Sequence, residues 1–96
     1  MDDMNPVMFE NPGGTKFWHL DDRRHRTDGP AVEWANGDTE WWQHGIRHRT
    51  DGPAMEWENG HKEWYLHDCV FSFDKWLDQN QTLTDEEKVM FKLQYG

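Results

Sequence analysis

Apolar and polar residues alternate in several short stretches within the first 71 positions of this 96-residue chain, as expected of half-buried β-strands. Asn36-Gly37 and Asn59-Gly60 interrupt the alternation, and Gly13-Gly14 does so once more near the start. Asn-Gly accepts the positive φ angles of a two-residue type I′ turn, which makes it a strong hairpin signal. The pattern therefore predicts a mainly β fold, an antiparallel meander of about six strands formed by three hairpins.

Two-residue turns would also fix the register of each hairpin, placing Glu33 opposite Glu40 and Glu56 opposite Glu63. One predicted face collects the apolar residues Val7, Phe9, Trp18, Leu20, Val32, Trp34, Trp41, Met55, Trp57, Trp64 and Leu66. The other collects Glu10, Glu33, Glu40, Glu56 and Glu63, with Phe17, Trp42 and Tyr65 among them. A slip of one residue would mix the two sets, so the separation favours this register.

The hairpins belong to a repeat. The sequence RHRTDGPA occupies 24–31 and again 47–54, a spacing of 23 residues. Glycines, tryptophans and glutamates follow the same period at Gly14, Gly37 and Gly60, at Trp18, Trp41 and Trp64, and at Glu10, Glu33 and Glu56. A fixed period of this length is typical of arrays in which each unit covers its neighbour. We therefore expect three copies within 7–71.

After Cys69 the spacing of apolar residues becomes helical. Ser72 can cap a short helix, and Thr84 begins a capping box with Glu87. A stripe of Val89, Met90 and Leu93 is expected to lie on the sheet. The expected whole is a single domain, 1–96, whose two short C-terminal helices in 72–95 pack on the aromatic face. Any part of that face left uncovered would be a partner or homodimer surface.

The composition narrows the class of partner. The formal net charge of −9 disfavours direct binding to nucleic acid or an anionic membrane and suits a basic protein surface. Seven Trp, five Phe and two Tyr supply the apolar area of a folded core despite a hydrophobic content of 34%. The single Cys69 cannot form an internal disulfide, and the start MDDMNP is unlike a signal peptide, so a cytoplasmic protein is expected.

The repeat unit, W-x-x-x-G-x-x-H-R-x-D-G-P-A-x-x-x-x-x-G-x-x-x-W, resembles the MORN repeat in its length and its rhythm of aromatic residues and glycines. It is more similar to the HRxDGPA variety of small phage and bacterial proteins, which often end in a short helical tail. The resemblance implies a hairpin array that serves as a protein- or lipid-binding scaffold, and it implies no activity. Pro30 and Pro53 depart from the MORN pattern, in which Gly is usual there.

The links between hairpins, about 21–29 and 44–52, contain polar residues that have two interpretations. His25, His48, Asp28 and Asp51, with the neighbouring arginines, could bind a metal, a nucleotide or another small ligand. They recur in every clear copy, however, and residues that every unit needs are usually structural. We therefore predict no enzyme, no cofactor and no metal, and keep ligand binding at the links as the alternative function.

The predicted acidic face is the candidate partner-binding site, formed by Glu33, Glu40, Trp42, Glu56, Glu63 and Tyr65. Its glutamates could merely face solvent, with their mutual repulsion relieved by the arginine side chains of the links, or they could protect sheet edges. They could also meet a basic partner, with aromatic anchors of the kind enriched at binding hot spots. The most concrete version is a phage-type inhibitor of a host defence protein, anti-CRISPR-like or mimicking nucleic acid, whose target is a nucleic-acid-binding protein in the host cytoplasm. That version rests on analogy.

Overall fold

A computed structural model of the chain describes residues 5–96. The strands are β1 (Val7–Glu10), β2 (Lys16–Leu20), β3 (Arg23–Arg24), β4 (Val32–Glu33), β5 (Thr39–Glu40), β6 (Trp42–Gln43), β7 (Ile46–Arg47), β8 (Met55–Glu56), β9 (Lys62–Leu66) and β10 (Cys69–Phe71). The helices are α1 (Phe73–Gln79) and α2 (Asp85–Tyr95). The mainly β class with two C-terminal helices is confirmed, although the described residues form ten short strands rather than about six.

All strand pairs are antiparallel. Seven strands follow the order β1-β2-β4-β5-β8-β9-β10, with β3 attached to β2, and β6 and β7 form a separate pair. Each 23-residue unit therefore holds two successive hairpins. They are β1-β2 and β2-β3 in the first unit, β4-β5 and β6-β7 in the second, and β8-β9 and β9-β10 in the third. The extents of 40 × 36 × 20 Å describe a slab, which fits a sheet that is mostly one layer thick.

The first hairpin of each unit closes with a three-residue loop. In the second unit the N–H of Trp34 donates to the carbonyl of Asp38 at 2.9 Å, and the N–H of Gly37 donates back to the carbonyl of Trp34 at 2.9 Å. Gly37 has φ +104°, and Gly14 and Gly60 take similar positive values. This is a type I turn followed by a left-handed glycine. The predicted two-residue turn at Asn36-Gly37 is therefore wrong by one residue.

That extra loop residue shifts the register. Glu33 lies opposite Thr39 and Val32 lies opposite Glu40. In the third unit Glu56 lies opposite Lys62 and Met55 lies opposite Glu63. The predicted pairs of opposed glutamates are wrong, and each unit avoids like charges facing each other across its strands.

The shift also redistributes the side chains between the two faces. The Trp41 face, defined by alternation from these pairs, holds Glu10, Lys16, Trp18, Leu20, Glu33, Thr39, Trp41, Glu56, Lys62, Trp64 and Leu66. The Trp42 face holds Val7, Phe9, Phe17, His19, Val32, Trp34, Glu40, Trp42, Met55, Trp57, Glu63 and Tyr65. Both faces are mixed, so the prediction of one apolar and one acidic face is wrong.

The two-residue turns lie in the links instead. Leu20 pairs with Arg23 across Asp21-Asp22, Gln43 pairs with Ile46 across His44-Gly45, and Leu66 pairs with Cys69 across His67-Asp68. All six turn residues have positive φ, between 50° and 81°. Positive φ at both central positions is the geometry of a type I′ turn. Only one of these six positions is a glycine, so the sequence carried little sign of them.

The helical tail closes the C-terminal end of the array. Trp64 and Leu66 of β9 form a core cluster with Trp76 and Leu77 of α1, against which Phe91 and Tyr95 of α2 pack. The predicted caps are present, with Ser72 accepting from the N–H of Lys75 and a complete capping box at Thr84. The predicted stripe is wrong, since its three residues lie on the exposed side of α2. The larger aromatic pair, Phe91 and Tyr95, packs inward instead.

Candidate partner-binding face

The repeated histidines hold neighbouring units together. Nδ1 of His25 accepts the backbone N–H of His44 at 2.9 Å, and Nδ1 of His48 accepts that of His67 at 2.9 Å. Each bond therefore ties one link to the type I′ turn of the next unit. Burial, followed by the adjacent imidazole of His44 or His67, lowers the pKa of His25 and of His48. A neutral ring is required because a protonated Nδ1 cannot accept.

The next residue of the motif covers a tryptophan. The Arg26 guanidinium carbon lies 3.9 Å from the centroid of the Trp18 ring, and Arg49 repeats the contact on Trp41 at 3.9 Å. Stacked guanidinium and indole attract through the charge and the ring quadrupole. Nε of each arginine donates to an aspartate two residues later, Asp28 at 3.0 Å or Asp51 at 2.8 Å. Each stack covers one side of an indole ring on the Trp41 face.

The rest of the motif makes room for this stack. A Cβ on Gly29 would lie 2.7 Å from the guanidinium carbon of Arg26, and one on Gly52 would lie 2.6 Å from that of Arg49. The carbonyls of Pro30 and Pro53 accept from the same two guanidinium groups. His, Arg, Asp and Gly of the RHRTDGPA motif therefore have structural roles. This matches the structural interpretation of the polar links.

Two of the predicted site residues belong to this internal network. Oε2 of Glu33 accepts from Nη1 of Arg26 at 3.2 Å. Oε1 of Glu56 lies 4.0 Å from Nη1 of Arg49, and its Oε2 lies 3.9 Å from Nζ of Lys62. These carboxylates neutralise cations of their own chain on the Trp41 face. The structure therefore separates them from the other four predicted residues.

The other four predicted residues lie on the Trp42 face and form hydrogen bonds there. Glu40 accepts from two indole N–H groups, that of Trp34 at 2.7 Å and that of Trp42 at 2.9 Å. Glu63 accepts the hydroxyl hydrogen of Tyr65 at 2.9 Å, and burial together with this bond raises the pKa of Tyr65. Each carboxylate thus fixes the orientation of an aromatic side chain rather than pairing with a lysine or arginine.

Arginines of the links interleave with these rings. The Arg24 guanidinium carbon lies 5.2 Å from the centroid of the Trp42 ring, and that of Arg47 lies 5.6 Å from Trp42 and 4.7 Å from Tyr65. Since Arg24 pairs with His19 across β2 and β3, aromatic and cationic side chains alternate along this face in the order His19, Arg24, Trp42, Arg47, Tyr65. We call this row the arginine–aromatic ladder.

Neither arginine of the ladder was among the residues predicted for the partner-binding face, although the alternative function included the arginines of the links, and Trp34 was placed on the wrong face. The 23-residue period could have indicated the arginines, because Arg24 and Arg47 share one repeat position and Trp42 and Tyr65 share another. The contact between them was not predictable, since it depends on the type I′ turns that fold each link back beside the next unit.

A depression of about 360 Å³ lies beside the first part of the ladder. It is lined by His19, Asp22, Arg23, Arg24, Trp42 and Gly45. These are link residues, as in the alternative interpretation, but His25 and His48 are engaged in bonds between units. Over residues 5–96 no group of three or more His, Cys, Asp or Glu side chains is arranged to hold a metal ion.

Within that same stretch, no helix has the length and apolar character needed to cross a membrane. The chain matches no protein family, no curated protein and no solved structure. The resemblance to MORN repeats stays a prediction.

Proposed function

We propose that the protein is a non-catalytic interaction module that binds a partner protein through its Trp42 face. The observation that carries this proposal is the pair of hydrogen bonds from Trp34 and Trp42 to Glu40, which fix the orientation of one exposed and one partly exposed ring. Rings whose orientation is already fixed lose little conformational entropy when a partner covers them. Trp, Tyr and Arg are also the residues most enriched at binding hot spots.

Side chains and helices of the protein itself cover the two faces differently, and this difference supports the choice of the Trp42 face. Arg26 and Arg49 stack over the Trp41 face, and the helical tail packs on Trp64 at its end. On the Trp42 face Phe9 is 59% exposed and Trp34 is 38% exposed, and the ring of Phe17 lies 6.4 Å from that of Phe9 and 6.1 Å from that of Trp34. The exposed apolar side chains of the Trp41 face are the non-aromatic Met8, at 46%, and Ile46, at 36%. Large exposed apolar side chains in a contiguous area are typical of a surface that meets a partner.

We propose that the partner presents a basic surface, because the chain carries a net charge of −9. Much of this charge faces water, as at the exposed residues Glu58, Asp78 and Glu86. Such a field accelerates association with a basic protein. In its most concrete form the proposal is a phage-type inhibitor of a nucleic-acid-binding host defence protein, acting in the host cytoplasm. That form is supported by charge and by the repeat's resemblance alone.

The proposal is tested by affinity capture with the purified chain, followed by measurement of direct binding to the captured protein. The test variant is Trp34→Ala with Trp42→Ala, and the matched control is Val89→Ala with Met90→Ala, which also trims two large exposed or partly exposed side chains but on α2. We expect the test variant to bind at least tenfold more weakly and the control to bind normally. Binding that survives the test variant, or that both variants weaken equally, would exclude the Trp42 face.

Ionic strength provides a second readout on the same complex. A basic partner attracted by the net charge should associate more slowly as salt screens the field, since the Debye length falls from about 10 Å at 0.1 M to about 3 Å at 1 M. An association rate that is independent of salt would contradict a basic partner while leaving the face itself intact.

A further inference from the structure

The two junctions between successive units have the same backbone. The N–H of Gly45 donates to the carbonyl of Arg24 at 2.9 Å, and the N–H of Asp68 donates to the carbonyl of Arg47 at 2.7 Å. The histidine bonds described above repeat as well, each at 2.9 Å. The second junction therefore shows which side-chain contacts the backbone of the first junction allows.

The side chains differ at one position that faces the ladder. At the second junction Asp68 accepts from Nε of Arg47 at 3.0 Å, and this hydrogen bond raises the pKa of Arg47. At the first junction the corresponding residue is Gly45, which has no side chain. Among residues 5–96, no carboxylate lies within 4.0 Å of a nitrogen of Arg24. Gly45 and Arg24 both line the depression of about 360 Å³.

We propose that this depression binds a carboxylate, which takes the place at Arg24 that Asp68 takes at Arg47. The lining supplies what such a ligand needs. Arg24 and Arg23 provide N–H donors and positive charge, and charge-assisted bonds from arginine to carboxylate are among the stronger hydrogen bonds in proteins. The ring of Trp42 offers an apolar wall for the rest of the ligand.

One residue of the lining opposes the binding of an anion. Asp22 is negatively charged, and its charge weakens the attraction of Arg23 and Arg24 for any anion bound there. Asp22→Asn should therefore tighten the binding of acetate and of phosphate.

The binding test uses sodium acetate as the probe, at constant ionic strength with chloride as the balancing anion. Arg24 side-chain and Trp42 indole N–H signals are followed by NMR. Inorganic phosphate is the second probe. A capped aspartate, N-acetyl-aspartate amide, is the third probe. If it binds more tightly than acetate, the ligand is the acidic side chain of a polypeptide; if it does not, the ligand is a small free acid.

Two substitutions exchange the residues that occupy this position in the two junctions. Gly45→Asp should fill the site with an internal carboxylate and weaken acetate binding at least tenfold. Asp is compatible with this backbone, since Asp22 and Asp68 hold φ of 62° and 68° at the corresponding turns. The new Cβ would lie 3.3 Å from Cδ of Arg23, a flexible side chain that can move by a few tenths of an ångström. Asp68→Gly should open a second site, detected as new acetate-dependent shifts at Arg47.

The control is Gln94→Glu, which adds the same charge on the exposed side of α2. We expect saturable acetate shifts in the wild type and in the control, and their loss in Gly45→Asp and in Arg24→Gln. Acetate shifts that persist unchanged in Gly45→Asp would overturn the proposal, as would wild-type shifts that do not saturate. If Arg24→Gln fails to fold, the exchange of Gly45 and Asp68 still decides the matter.

Discussion

The two faces of the sheet contain the same kinds of side chain in opposite arrangements. On the Trp41 face a guanidinium group lies over each of two indole rings, and carboxylates and carbonyls hold the guanidinium in place. On the Trp42 face a carboxylate binds two indoles through their N–H groups, and the guanidinium carbons nearest the Trp42 ring lie farther from its centroid, at 5.2 and 5.6 Å. Composition alone therefore does not tell which aromatic residues stabilise the fold and which can meet a partner.

The largest difference between the faces should appear when a ring is removed from each. Trp64→Ala takes away a 7% exposed ring that contacts Trp76, Phe73 and Tyr95. We expect the free energy of unfolding to fall by about 3–5 kcal/mol, as for other buried aromatic truncations. Trp42→Ala should cost about 1–2 kcal/mol because its ring is only partly buried. Urea unfolding measures both, and equal losses would contradict the division between the faces.

A smaller effect should follow from crowding the arginine stack. Gly52→Ala places a Cβ 2.6 Å from the Arg49 guanidinium carbon and should push that group off the Trp41 ring. We expect a loss of about 1–3 kcal/mol, the usual range for overpacking. Gly13→Ala is the control, since its nearest contact is an ordinary 3.5 Å. A Gly52→Ala protein as stable as the control would mean that the stack does not need this glycine.

The histidines that join the units should make stability depend on pH. Their folded pKa values lie below the ordinary value of 6.5, so between these values the unfolded chain binds more protons. Their contribution is complete above about pH 6.5 and is lost as the pH falls toward the lowered folded values. Urea unfolding between pH 8 and pH 5 should show this slope, reduced in His25→Gln with His48→Gln. His61→Gln, at an exposed histidine, is the control, and an unchanged slope in the double variant would count against the histidine bonds.

The smallest losses of unfolding free energy should come from neutralising one glutamate on each face. The two losses should differ in their response to salt. Glu33→Gln weakens an ion pair with Arg26, and we expect a loss of about 0.5–1 kcal/mol that shrinks at 1 M salt. Glu40→Gln leaves one oxygen for two indole N–H donors, with a loss of about 1 kcal/mol that salt does not change. If both losses respond equally to salt, the roles assigned to these glutamates are wrong.

The period, the β class and the helix caps were predictable because each depends on residues close in sequence. The register was not, because Asn36-Gly37 fits a two-residue turn as well as the last two positions of the three-residue loop that actually forms. That single choice decides which face each side chain occupies. Of the predicted site, Trp42 and Tyr65 kept their glutamates Glu40 and Glu63, because residues two apart in a strand share a face in either register.

The type I′ turns were missed for a different reason. Asp21-Asp22 and His67-Asp68 contain no glycine, so local conformational preference argues against positive φ there. In the structure these turns are held by bonds from other units, such as the one from His67 to His48. The arginine–aromatic ladder depends on them, so it could be recognised only with contacts distant in sequence.

The correspondence of Gly45 with Asp68 gives the repeat a property beyond stacking. A further copy of 24–46 would add one link, one stacked arginine and one more step of the ladder, while the helical tail would still close on the last unit. In each copy a single codon at the second turn position would decide whether that step is occupied by its own aspartate or left for a ligand. A family of such chains could therefore change the number and order of its open positions by duplication and point mutation, without redesigning the fold.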